Sequence, residues 1–179
     1  MPLPAVADEA AALRRRLDLD GIWGNFSEIG VRQELTDWQW SAEFVHIAAK
    51  PLSSESSVAL MLGRRIGDWT PYAGYGWAKT SGAALAPPSW GAALQPLLGP
   101  AGAAQGQALG AGAAQAYNAT RVQQSSWSVG ARWDFHPQAA LKLQWDEVRV
   151  SANGAALWGH ASTDAGRARV ASAVVDFIF

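Results

Sequence analysis

Between Trp127 and Phe135 the chain alternates with a period of two. Trp127, Val129, Ala131, Trp133 and Phe135 fall on one side, and Ser128, Gly130, Arg132 and Asp134 on the other. Successive side chains of a strand point to opposite faces, so this is the pattern of an extended segment with one apolar face. A helix would scatter the same five apolar residues around its circumference. His136-Pro137-Gln138 breaks the run. It resumes with Leu141, Leu143 and Trp145 opposite Lys142, Gln144 and Asp146, which makes a hairpin.

Upstream, Ile29, Val31 and Leu35 oppose Glu28, Gly30, Arg32 and Glu34. Thr36-Asp37 turns the chain into Trp38, Trp40, Ala42 and Phe44 against Gln39, Ser41 and Glu43. Val58, Leu60, Leu62 and Ile66 follow, then a turn at Gly67-Asp68, then Ala73, Tyr75 and Trp77. Ala171, Ala173, Val175, Phe177 and Phe179 close the series. The reading is seven strands, with an eighth near 17–23. Residues 1–16, rich in Ala, Leu and Arg, are expected to form an N-terminal leader or short helix, and 17–179 the strands.

The connections alternate in length. Those near 36, 67 and 137 are tight, and those near 50–56, 80–122 and 150–166 are long and lie at the opposite end. That polarity, with all-β alternation, predicts an antiparallel transmembrane β-barrel, or the C-terminal half of a larger one, of about seven to eight strands. Its short turns would be periplasmic and its long loops extracellular. The 80–122 loop is rich in Ala, Gly and Pro. Leu94, Leu97, Leu98 and Leu109 are poorly suited to bulk water. We expect it to fold into the barrel and narrow it, with a short helix near Ala103–Tyr117.

Composition agrees. There are ten Trp against five Phe and three Tyr. Trp suits a boundary where one edge of the ring is apolar and the other wet. No segment reaches the ~18 uninterrupted apolar residues of a membrane-spanning helix. Only a closed barrel otherwise satisfies its backbone in lipid. Trp77, Trp127 and Trp145 lie about eight residues from their own tight turns, which is ~19 Å along the membrane normal for a tilted strand. The expected membrane-interface aromatics are Trp38, Trp40, Trp69, Tyr75, Trp77, Trp127, Trp133, Phe135 and Trp145. The expected pore-lining residues, on the polar face, are Glu28, Arg32, Glu34, Glu43, Arg65, Arg132, Asp134, Lys142 and Asp146. Their mixed signs suit a hydrated lumen of weak ion selectivity, or inward ion pairs that hold the wall in shape. Arg64, Gln33 and His46 depart from the pattern on the apolar face, and Val45, Ile47, Met61, Val174 and Ile178 on the polar one.

Other chemistry is thinly represented. A net charge of −1 argues against a nucleic-acid partner, which needs a basic field. There is no cysteine for a disulfide, a nucleophile or a thiolate metal site. His46, His136 and His160 lack metal-ligand spacing. No nucleophile elbow, phosphate loop or H-E-x-x-H helix is present. The expectation is no enzyme, no metal and no cofactor. Asn118-Ala119-Thr120 matches a glycosylation sequon, which has little meaning if the chain is an outer-membrane barrel.

Four stretches, in order, carry a family resemblance: GIWGNFSEIGVRQEL, RRIGDWTPYAGYGWAKT, SSWSVGARWDFHPQAALKLQWDEVRV and ARVASAVVDFIF. Together they resemble the C-terminal portion of a Gram-negative porin-like outer-membrane β-barrel protein, from about Leu17 to Phe179. The resemblance implies passive diffusion of small polar solutes across the bacterial outer membrane. It implies an assembly signal in Val175, Phe177 and Phe179, read by the barrel-assembly machinery. The implied surroundings are the lipid bilayer and lipopolysaccharide, and a homo-oligomer is compatible with them. Two departures stand out. Residues 1–13 carry Asp8 and Glu9 where an export signal would be basic and then apolar. Porins of this type also have about twice as many strands. A fragment of a larger barrel is the first expectation. A small structural or adhesive eight-stranded barrel without conductance, or a soluble β-barrel binding an apolar ligand, are the alternatives.

Overall fold

Alternating, β-branched and aromatic stretches separated by turn residues become strands, and the two Ala-rich stretches become helices. The computed structural model describes residues 3–50, 53–156 and 164–178. Its elements are α1 (Leu3–Leu17), β1 (Trp23–Glu34), β2 (Trp38–Lys50), β3 (Glu55–Arg64), β4 (Trp69–Thr80), α2 (Trp90–Asn118), β5 (Val122–His136), β6 (Ala139–Ala155) and β7 (Gly166–Phe177). The seven strands form one antiparallel sheet in chain order, each paired with the next. Among the described residues β1 and β7 do not pair, so the sheet is open.

The β1–β2, β3–β4 and β5–β6 connections are tight turns. Leu35 N–H donates to Trp38 O, Ile66 bridges Trp69, and His136 pairs with Ala139. The other three connections share the opposite end of the sheet; those between β4 and β5 and between β6 and β7 are long, whereas the β2–β3 connection, expected to be long, is as short as that between β3 and β4. The all-β antiparallel order read from the alternation is the one observed; closure into a barrel is not seen among the described residues.

The expected eighth strand near 17–23 does not form. Helix α1 runs on to Leu17, and the Asp18 carboxylate then accepts the Asp20 N–H at 3.1 Å. This local turn takes up the backbone that a strand would need.

The connection between β4 and β5 is not a loop with a short helix. Helix occupies Trp90–Asn118, well beyond the expected 103–117, and folds into a hairpin at Gly99. Gly99 has φ +67°, open to glycine without a Cβ penalty, and stands between Pro96 and Pro100. Ala-rich runs on either side satisfy helix propensity, which a periodicity count underrates when small residues dominate. Leu13 of α1 meets Trp90, Leu94 and Ala103 in a small apolar core, and Trp90 Nε1 donates to Glu9 at 2.9 Å. The extensive packing of α2 is thus against α1, at the long-connection end, and not against the polar face of the strands. Leu94 finds its cover there, whereas Leu97, Leu98 and Leu109 stay exposed.

Three residues at the end of the insertion, Tyr117, Asn118 and Arg121, tie this helical cap to the edge of the sheet and the segments beside it. The Arg121 guanidinium donates to the Thr80, Ser81 and Gly82 carbonyls where the insertion leaves β4. Ser53 and Tyr117 share a hydroxyl hydrogen bond of 2.8 Å. The Asn118 side chain both accepts from and donates to the Leu85 backbone, so the sequon amide has a structural use.

Candidate functional site: the two faces of the sheet

Register decides which side chains share a face, because directly paired residues of neighbouring strands point the same way. Ile29 pairs with Phe44, Phe44 with Val58, Val58 with Trp77 and Trp77 with Ser125. Trp69 pairs with Trp133, Trp133 with Leu141 and Leu141 with Val175. All nine expected interface aromatics therefore lie on one face. Their rings meet across strands. Trp69 and Trp133 stack with centroids 5.2 Å apart, Tyr75 lies 4.8 Å from Trp127, and Phe135 lies 5.5 Å from Trp133. Val175 and Phe177 share this face on β7, while Phe179 lies outside the described residues.

This face is uncovered. Ile29 is 68% exposed, Leu62 51% and Val129 55%. The face also has limits along the strands. At the tight-turn end, the Arg64 guanidinium sits 5.3 Å from the Trp38 ring centroid, its charge held at the edge of the apolar surface. At the other end the apolar residues give way to His46 bonded to Ser56, then to Lys79, Gln123, Glu147 and Arg149. The departures Arg64 and His46 thus mark the two borders of the apolar surface.

The opposite face carries the expected pore-lining residues of the strands. Glu28, Arg32 and Glu34 of β1 share it with Glu43 of β2, Arg132 and Asp134 of β5, and Lys142 and Asp146 of β6. Arg65 lies just past β3, beside Glu34 and Gln39 around a hollow of about 90 Å³ at the tight-turn end. Near the centre, the Tyr72 hydroxyl donates to Gln144 at 2.8 Å across the intervening β5. Gln144 Nε2 donates to Asp146, which also accepts the Ser128 hydroxyl. Lys142 Nζ stands 5.2 Å from the Tyr72 ring centroid. Nearer the turns, Arg132 pairs with Asp134 at 2.8 Å and with Asp176 at 3.6 Å. These pairs are about half exposed and stabilise little, of order 0–1 kcal/mol each. Their effect is to fix the direction of charged heads on this face.

Sequence reasoning missed two features. Tyr72 reaches over a glycine to a residue two strands away, and that partner depends on a register the alternation does not specify. The second is a charged knot at the long-connection end of the apolar face. Glu147 accepts from Arg149 at 3.0 Å, with Arg167 at 3.6 Å and Arg169 at 3.7 Å from its carboxylate oxygens. The signal was present: the odd-numbered series Leu141, Leu143, Trp145 continues as Glu147 and Arg149. Among the described residues no cluster of three or more His, Asp or Glu side chains is placed to hold a metal ion.

No family model matches the chain, and no curated protein does. Among solved structures it is similar to the outer-membrane expressed OmpT of Vibrio cholerae, with 9% identity and a TM-score of 0.49 over 88% of this chain and 42% of that one. It is also similar to OccK2 (OpdF) of Pseudomonas aeruginosa, with 16% identity and a TM-score of 0.40 over 88% of this chain and 46% of that one. The chain spans less than half the length of either.

Proposed function

We propose that the chain forms wall of a bacterial outer-membrane barrel. Its polar face lines a water-filled lumen through which small polar solutes diffuse passively. The observation that carries this reading is the separation of the two faces. Every strand-borne charged residue of the lumen set lies on one, and every aromatic of the interface set on the other, where Trp127 is 59% exposed and no interface aromatic is buried. Water does not tolerate so large an exposed apolar surface on a monomeric protein, whereas hydrocarbon favours it. The apolar surface from Trp69 to Trp77 is ~19 Å tall for a tilted strand, close to the ~25 Å band of an outer-membrane barrel. The tight turns would face the periplasm and the helical cap the outside.

The absence of cysteine makes the test clean. Single cysteines replace Glu43, Asp146, Leu60 or Val129, and the refolded protein in vesicles meets a membrane-impermeant maleimide. Glu43→Cys and Asp146→Cys should label, and Leu60→Cys and Val129→Cys should not. Equal labelling of all four would overturn a lipid-facing apolar side. Labelling of the apolar set alone would reverse the assignment of faces and overturn the reading as well. In planar bilayers, the wall once closed should give discrete ohmic steps. A folded, heat-modifiable species with no conductance would retain the barrel and remove the channel. Replacing Arg132 and Lys142 together by Glu turns two positive charges negative, and the reversal potential in a salt gradient should move towards cation preference.

A further inference from the structure

Charged side chains have no ordinary place on the apolar face of a membrane wall, so the four at one end of β6 and β7 need a reason. Glu147 pairs with Arg169 in register, and Arg149 with Arg167. All four point to the same side as Trp145, and Glu147 follows Trp145 by one strand period. The Glu147 carboxylate is 25% exposed and collects all three arginines, each of which is more than half exposed. One carboxylate against three guanidiniums leaves two positive charges. Two of the three contacts, at 3.6 and 3.7 Å, are ion pairs longer than a hydrogen bond, so Glu147 does not use the donors of Arg167 and Arg169 as it uses those of Arg149. The carboxylate acts as a hub that gathers like charges which would otherwise spread apart.

We propose that Arg149, Arg167 and Arg169, held together by Glu147, bind the phosphate groups of an outer-leaflet glycolipid, the phosphorylated headgroup of lipopolysaccharide. The inference rests on the membrane reading above, because that reading puts the long connections outside and this face in lipid. The knot then lies one step beyond the aromatic border, at headgroup depth on the outer side. A phosphate accepts bidentate bonds from arginine forks, and a net charge of +2 on a small surface complements a phosphate dianion. Trp145, one strand period before Glu147, and Trp127, the register partner of Glu147 on β5, offer apolar surface to the acyl chains of the same lipid molecule.

The full chain, refolded in zwitterionic micelles, is titrated with diphosphorylated lipid A and with its dephosphorylated form, and bound lipid is counted by native mass spectrometry. The wild type should hold the phosphorylated lipid at least tenfold more tightly than the dephosphorylated one. Replacing all three arginines by Ala should remove that preference. Glu147→Gln weakens the hub but keeps all three arginines and their charge, so it should bind less tightly than the wild type and still prefer the phosphorylated lipid. Arg132→Ala, on the other face, should bind as the wild type does. Inorganic phosphate at equal concentration should not compete. Lipid retention by the triple variant, or equal binding of the dephosphorylated lipid, overturns the proposal. Loss of lipid from Glu147→Gln as severe as from the triple variant does so too. Displacement by inorganic phosphate would reassign the knot to a free anion. Maleimide labelling separates the two levels. If Leu60→Cys stays protected while lipid selectivity is absent, the wall stands and the lipid site alone falls. If Leu60→Cys labels freely, the membrane reading fails with it.

Discussion

Gly130 is where one missing Cβ decides a local arrangement. It pairs with Tyr72 on β4 and Gln144 on β6, and the Tyr72 ring lies across it to reach Gln144. A Cβ at this position would press on the end of the Tyr72 ring and on the Leu143 carbonyl. The ring can swing away, but the carbonyl belongs to the neighbouring strand and cannot. Gly130→Ala should therefore destabilise the refolded protein by about 1–3 kcal/mol, as overpacking does. Tyr72→Phe, which deletes one hydroxyl bond and leaves the ring in place, should cost ~1 kcal/mol. Urea-unfolding midpoints in vesicles compare them, and a Gly130→Ala midpoint no lower than that of Tyr72→Phe would show that the strands yield around the methyl group.

Along a strand, the same substitution should have opposite consequences at adjacent positions. Leu60 lies midway along β3 on the apolar face, between Ala42 and Tyr75, while Ala59 lies on the polar face between Glu43 and Gly76. Leu60→Arg puts a charge near the centre of the hydrocarbon and should cost about 2–4 kcal/mol. Ala59→Arg meets water and Glu43 and should cost well under 1 kcal/mol. Equal unfolding midpoints for the two would refute the assignment of faces. This facing was legible in the sequence for β2 to β6, where large apolar residues alternate with polar ones over many positions. The helical insertion was less legible, because Ala and Gly carry almost no periodic signal, and its Leu residues suggested an inward fold that the packing of Leu94 on α1 does not follow. Turn chemistry misled at the start of the chain, where a period of two near 17–23 is overridden by the Asp18 carboxylate accepting the Asp20 N–H. The Tyr72–Gln144 bond and the Glu147 knot were hidden for another reason. Both depend on register between strands, and the β6–β7 register spans a long connection that no pattern fixes.

At the scale of the molecule, strand direction limits how the wall can close. An antiparallel meander of seven strands begins and ends with strands running the same way. Both β1 and β7 run from the long-connection end to the tight-turn end. Joining them directly would make a parallel seam in an otherwise antiparallel barrel. A ring of copies inserted in the same orientation has the same seam, since β7 of one copy meets β1 of the next. An odd number of additional strands removes it, and every junction is then antiparallel, as in even-stranded barrels. Unpaired edges are not tolerated in lipid, so this is a requirement of the wall and not a preference. The expectation is that the chain refolded alone leaves the outward amides of β1 and β7 open. They should exchange with deuterium ~1,000-fold or more faster than those of β4 and β5, which are paired on both sides. Cysteine pairs placed along β1 and β7 should not cross-link within one chain. Protection of both edges together with an intrachain cross-link would establish a seven-stranded barrel with a parallel seam. Protection of both edges with cross-links only between chains would establish a ring of copies. Edges that remain open until further strands are supplied, and become protected when they are, would show that this wall is completed by an odd-numbered partner sheet.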